Sequence, residues 1–389
     1  MGKYERRHDL DWLRIGAVLL LVPYHTGMAF NTWGWHIKNA DQSQLITAFT
    51  AFLHIWHMPL FFLLAGAAAA YALRFRSGGQ FLRERFLRLF IPLVFGMTVI
   101  VPPQIYCERL FRDQFHGSFF AFYPSVFTTG PYPDGNMSWH HLWFLAYLFA
   151  FSAVLLPLLL RWMKGPAAER LSRAGNWLAS GSRLYLAAVP LIIVQLTLRA
   201  AHPDGIQTLV GDWANDAFYG LIFLYGFWMG RAESLLTAAE RLRRGALAAA
   251  AVLTVVLMMF EFAGAPPALN NQAGYLAGLG LEGLNTWLWL LALLGFGRVY
   301  LNRTTPWMPY AVEAAFPFYI IHQTVIVALA FWIVPLPWSI AVKFLAVFVL
   351  AFPGTLGVYE ILKRFPVTRF LLGMKTKPSG ASSNHAAQS

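Results

Sequence analysis

DLDWLRIGAVLLLVPYHTGMAF, residues 9–30, is apolar enough to cross a bilayer, yet it carries Asp11 and Arg14 near one end and His25 toward the other. Arg14 and His25 are eleven positions apart, about 16 Å of rise in an α-helix. Eleven steps of about 100° return nearly to the starting direction, so both side chains project from one face. Ionisable groups inside a membrane segment are costly, and by default they mark a functional path. A charged helix end plus a satisfied buried histidine explains the same letters, and this stretch alone does not choose.

Working outward, the chain of 389 residues is 58% hydrophobic and only 12% charged, whereas a soluble domain carries about 25% charged residues. It reads as an all-α, polytopic membrane protein. Apolar stretches long enough to span fall at about 12–30, 48–72, 87–106, 141–160, 184–200, 214–230, 245–262, 275–297, 311–334 and 338–360, giving about ten transmembrane helices. The basic N-terminus resembles a secretory signal, but the apolar run is long and no small-x-small cleavage site follows, so it is read as a retained span.

Alternate loops then collect 25 Lys and Arg on one side, against four (Lys38, Arg109, Arg112 and Arg199) on the other, with Lys343 inside the last span. By the positive-inside rule both termini are cytoplasmic. The net charge of +12 is thereby absorbed by topology, and nucleic-acid binding loses its support. One cysteine, Cys107, excludes an intrachain disulfide framework or a multi-cysteine metal site, and no metal site is expected. Residues 1–373 read as one membrane-embedded domain, and the polar tail 374–389 as disordered.

The histidines divide the other way. His36, His116, His140, His141 and His202 fall in outward loops or at their edges, His54 and His57 near the outer mouth of the second span, and His25 and His322 within spans. That asymmetry suggests an outward-facing polar cavity, although interfacial histidines among aromatics are also structural. The outward loop at about 107–140 is rich in Phe, Tyr, Pro and Gly, which fits a packed loop over a membrane surface, an aromatic belt or a sugar-stacking surface.

Among constellations, Asp11 and Arg14 are spaced for an i,i+3 ion pair, or serve as topological anchors. His25 follows Pro23 well inside its span, and a neutral imidazole there can act as general base toward a hydroxyl. The run LLAGAAAA, 63–70, is a packing surface, since small residues let helices approach closely in lipid. In RERFLRLFIP, 83–92, Arg85 and Arg88 share a helix face; they suit a phosphate or pyrophosphate, or anionic headgroups. His140, His141 and Trp143 open the fourth span, and His322 is buried in the ninth. Glu261, Glu282 and Glu313, in or near spans, are pairing or proton-relay candidates. No Walker motif, GxSxG elbow or HExxH occurs.

Taken together, these motifs resemble the acyltransferase-3 family of integral membrane acyltransferases, and within it the glucan-biosynthesis C proteins, linked to succinylation of osmoregulated periplasmic glucans. The resemblance rests on the DxxR…H first span, MPLFFLLAG, RERFLRLFIP, HLWFL, FYIIHQ and the closing YEILKRFPVTRFLLG, and covers nearly the whole chain. The family's arginine–ten residues–histidine hallmark falls on Arg14 and His25, and its paired RxxR arginines on Arg85 and Arg88. Ala65 departs from the pattern, where relatives more often carry serine.

The resemblance implies an acyltransferase of the kind that transfers groups other than aminoacyl groups, taking an acyl group, succinyl among the candidates, from cytoplasmic acyl-CoA to an extracytoplasmic glycan such as a periplasmic glucan. His25 would be catalytic, Arg14, Arg85 and Arg88 would bind CoA, and Asp11, His141, Trp143 and His322 would support the site or receive the acceptor. Acyl-CoA (succinyl-CoA included) would be a co-substrate rather than a resident cofactor. The bilayer of the inner membrane and glucan-synthesis machinery would be the surroundings. The alternative is a transporter or flippase for a glycolipid or small anion that uses the same buried Arg14 and His25 as its path. A non-catalytic scaffold would leave His25 unexplained.

Overall fold

The ten stretches expected to span a membrane all fold as helix in the computed structural model, which describes residues 7–199, 201–202, 207–263 and 271–375. Among the described residues there is no strand, only one isolated bridge between Pro131 and Met137. The principal helices are α1 (His8–Met28), α2 (Gln44–Ala72), α3 (Gly78–Phe111), α4 (Trp143–Val154), α5 (Leu156–Met163), α6 (Gly165–Ala179), α7 (Ala188–Val194), α8 (Trp213–Arg231), α9 (Glu233–Ala263), α10 (Gln272–Tyr300), α11 (Met308–Ile333) and α12 (Ile340–Leu362).

Six of these (α2, α3, α9, α10, α11 and α12) are long and apolar enough to cross a membrane. Of the other expected spans, 141–160 meets that measure only as a bent pair of helices, and the remaining three are helical among the described residues but are not in that set. The stretch 141–160, expected as one span, bends by 55° between α4 and α5. Pro157, in the first turn of α5, has no N–H to continue the α4 ladder, and so the helix breaks there. Pro23 and Pro317, by contrast, sit inside α1 and α11 without ending them. Of the expected disordered tail, Met374 is buried and Lys375 O accepts from Arg369, so its first two residues are ordered; 376–389 lie outside the described residues.

Close approach of backbones holds the bundle together. A Cβ on Gly66 of α2 would stand 1.9 Å from Phe223 O of α8, and one on Gly226 of α8 would stand 1.9 Å from Leu63 O. The two glycines therefore let the helices cross with backbone touching backbone, as expected for the 63–70 run, because apolar burial gives little drive between helices already in lipid.

α1 lies against α2, α10, α11 and α12. Its polar residues are met one by one. Arg7 grips Asp9, which is 1% exposed, through two bonds of 2.9 and 2.6 Å. Arg14 pairs with Asp11 at 3.3 Å, and Trp12 donates to Arg303 O at 2.9 Å. The segment after α1 is anchored by Lys38, which donates to Met28 O and Asn31 Oδ1, and by the buried Lys343, which donates to Asn39 Oδ1 and Val334 O.

Candidate active site

α1 carries a different chemistry at each end. At the histidine end, the ring of His25 lies 5.0 Å from that of His322 on α11, and the ring of His322 lies 5.2 Å from that of His141. Trp35 stacks over His25 at 6.4 Å. His25 is partly exposed; its Nδ1 is buried without a hydrogen bond, which leaves Nε2 as the nitrogen a reactant can reach.

The neighbouring tautomers follow from their partners. His322 Nδ1 donates to Tyr319 O at 2.7 Å, so its Nε2 is a lone pair, buried and unpartnered. His141 Nε2 donates to Ile320 O at 2.9 Å, while Tyr319 donates its hydroxyl to His141 O at 2.5 Å. This two-way clamp fastens the turn before α4 to α11. The turn itself is strained: His140 has φ +40°, in the left-handed region, held by Ser138 Oγ on its N–H at 3.0 Å. His57 Nε2 donates to Ala17 O at 2.7 Å and braces α1 from α2.

A second polar layer was not foreseen. The outward loop was expected from about residue 107, but α3 runs on to Phe111 and carries Glu108 into the interior, where it is fully buried. Glu108 accepts from His36 Nδ1, from Arg112 at 2.9 Å and from the Tyr132 hydroxyl at 3.1 Å. Burial, and then the Glu108 carboxylate, push the Tyr132 hydroxyl up to about 12, so it stays a donor.

A directed chain completes the layer. Thr324 donates to Ile100 O, Gln104 to Thr324, and Gln323 both to Gln104 Oε1 and, at 3.3 Å, to His36 Nε2. Read from the backbone carbonyl, it fixes His36 with its proton on Nδ1, toward Glu108. Because Tyr132 also packs edge-on against His140 at 4.8 Å, the 107–140 loop closes over the histidines.

Removing one partner from a buried charged network leaves the others unmatched. Glu108→Ala is accordingly expected to destabilise the protein by about 3–5 kcal/mol, and Glu108→Gln by less. Thermal unfolding in detergent measures both, and an unchanged midpoint for Glu108→Ala would contradict the role.

At the arginine end, Arg14, Arg76 and Arg88 lie close enough to Arg85 to repel it electrostatically. Arg85 rests on the Phe81 ring at 4.8 Å and makes no hydrogen bond among the described residues. Glu84 binds Arg76 at 2.9 Å and Arg88 at 3.3 Å, and Arg88, whose side chain is 44% exposed, sits on the widened π-helical turn Phe86–Phe90. The structure thus brings Arg14, Arg85 and Arg88 together, with more positive than negative charge. Planar guanidinium groups so placed can hold phosphate oxygens.

Not every candidate joins these ends. Trp143 packs against Tyr147, Tyr219 and Phe62 at 5.3–6.0 Å and has no ring contact with the histidines. Glu313 accepts from Arg369 at 2.7 Å, a pairing role, and Glu261 is exposed. Among the described residues no group of three or more His, Cys, Asp or Glu could hold a metal.

Residues 7–360 match a family profile described as an acyltransferase domain, Acyl_transf_3. The chain is 23% identical over 380 residues to "Glucans biosynthesis protein C" of Salmonella heidelberg (strain SL476), covering 95% of each chain, and equally so to that of Salmonella typhimurium (strain LT2). The same-named protein of Salmonella schwarzengrund is 22% identical over the same share. No solved structure matches the chain. An all-helical chain with membrane-length helices, matched by this profile over nearly its whole length, belongs to the acyltransferase-3 family and is a multi-pass membrane acyltransferase.

Proposed function

We propose that the protein moves an acyl group from cytoplasmic acyl-CoA to a hydroxyl of an extracytoplasmic glycan, with His25 as general base. The observation that carries this reading is the placement of His25: Nε2 open, Nδ1 buried, and about 16 Å along the same helix from Arg14. The 25-to-4 distribution of Lys and Arg supports ten crossings with both termini in the cytoplasm, so that the arginine end faces the cytoplasm and the histidine end faces outward. The inner membrane is the corresponding location. The names of the relatives support a glucan acceptor, with succinyl as the acyl group to try first.

In this scheme CoA phosphates dock at Arg85, Arg88 and Arg14, and the pantetheine arm rises between helices to bring the thioester beside His25. The acceptor hydroxyl enters from the opposite side. His25 Nε2 takes its proton as the oxygen attacks the thioester carbonyl carbon; the C–S bond breaks, and the CoA thiolate receives that proton from His25. The protein returns to its starting state. His322 and His141 lie beside the reacting group, and Asp11 orients Arg14.

The test is transfer of labelled acyl groups, starting with succinyl-CoA, to glucan by purified protein in nanodiscs. Transfer that survives undiminished in His25→Ala would refute the base. Passage of a glycolipid or anion without consumption of acyl-CoA would establish the transporter reading instead.

The two RxxR arginines are expected to contribute unequally. Arg85 has no competing hydrogen bond, whereas Arg88 is exposed and tied to Glu84. Arg85→Ala should weaken acyl-CoA binding about tenfold or more, given roughly 1.5–3 kcal/mol for a hydrogen bond to a charged group, and Arg88→Ala by less. Calorimetric titration with CoA checks the order. Equal, unchanged affinities in both variants would exclude docking there.

A further inference from the structure

We propose that His322 is the positioning residue of the site: its Nε2 lone pair receives the Nδ1–H of His25 and thereby keeps Nε2 of His25 free to accept a proton. The inference rests on the reading of His25 as general base.

Two observations carry it. His25 Nδ1 and His322 Nε2 are both buried, neither has a hydrogen-bond partner, and they belong to rings 5.0 Å apart. Ring centroids 5.0 Å apart leave room for the two nitrogens, when turned toward each other, to meet at N–H···N distance, about 3 Å. The tautomer of His322 is not free to vary, because Tyr319 O already takes its Nδ1–H at 2.7 Å. Its other nitrogen can therefore only accept.

A neutral His25 has one proton to place. On Nδ1 it meets that acceptor; on Nε2 it would leave two buried lone pairs side by side and no base facing the reactant. When His25 takes up the hydroxyl's proton, the same contact gives the imidazolium an acceptor for its inner N–H. This is the task a carboxylate performs for the histidine of a serine hydrolase. Glu108, the buried carboxylate nearby, is committed to His36 instead.

His141 acts one step further out. Its clamp on Tyr319 and Ile320 fixes the α11 turn that aims His322, and its ring meets His322 but has no ring contact with His25.

The experiment uses the full-length protein in nanodiscs with 15N-labelled histidine. The wild type should show His25, assigned by its loss in His25→Asn, as the Nδ1–H tautomer, and His322→Leu should shift it to Nε2–H. In the transfer assay His322→Leu should lower kcat by up to about 10⁴-fold, the loss seen when a catalytic histidine loses its tautomer-setting partner, with KM for acyl-CoA unchanged. His322→Gln, whose Oε1 is also an acceptor, should retain at least about tenfold more activity than His322→Leu.

A wild-type His25 protonated on Nε2 would overturn the proposal even if neither His322 variant folds. So would equal losses in the Leu and Gln variants, or a His25 tautomer indifferent to residue 322. If the tautomer follows residue 322 while His25→Ala still transfers acyl groups, the general-base reading fails and the positioning stands.

Discussion

His25→Ala is expected to lower acyl transfer by on the order of 10²- to 10⁴-fold, the usual contribution of a positioned general base, and to leave a folded protein. The side chain is partly exposed and makes no hydrogen bond among the described residues, so truncation breaks no polar contact beyond the one proposed to His322. What it removes is ring packing against His322, Tyr24 and Trp35. Activity and stability should therefore separate. Initial rates with labelled acyl-CoA, read beside a melting curve of the same preparation, make the comparison. A variant that loses activity only in proportion to its loss of folded protein would make His25 structural.

The largest effect on folding is expected at the crossing of α2 and α8. Gly66→Val places a branched side chain where even a single methyl would lie 1.9 Å from the carbonyl oxygen of Phe223. That oxygen is backbone within a helix and cannot swing aside, so the helices must separate or the chain must fail to fold. Ordinary overpacking costs about 1–3 kcal/mol, and an overlap with backbone exceeds that range. Gly226→Val should behave alike, since its Cβ would meet Leu63 O at the same distance. Gly16→Ala is the control: a Cβ there meets nothing within 4 Å, and replacing Gly by Ala inside a helix is mildly favourable. Yield of monodisperse protein and its melting temperature report the contrast. A Gly66→Val protein as stable as the control would mean that the helices do not touch as described.

Features set by local spacing were legible in the sequence. The Arg14–His25 interval needed only helical geometry, and the run 63–70 announced close packing through residue size alone. Arg85 and Arg88 share a face for the same reason, although their meeting with Arg14 depends on how α3 lies beside α1.

Glu108 was not legible. It stands in CERLFRDQ, where five charged or amide residues in eight suggest a loop, and its burial depends on His36, 72 residues earlier, and Tyr132, 24 later. The only hint was an acidic residue one helical turn before Arg112. The surroundings of Trp143 were not legible for a related reason: its place beside two histidines in sequence says nothing about direction, and its ring packs against Tyr219, Tyr147 and Phe62. The bend at Leu155 was masked by apolar residues on both sides, with Pro157 as its only sign.

The first helix also constrains how the molecule is made. Trp12 is bonded to Arg303, 291 residues further along, and His25 faces His322. At roughly 5–20 residues per second, about 15–60 s pass between synthesis of α1 and arrival of α11. During that interval α1, with its two aspartates, one arginine and two histidines, lacks half of its eventual neighbours. A nascent chain that stops before Met308 holds a helix too polar to rest comfortably in lipid. The residues gathered around His25 therefore come together only late in biogenesis.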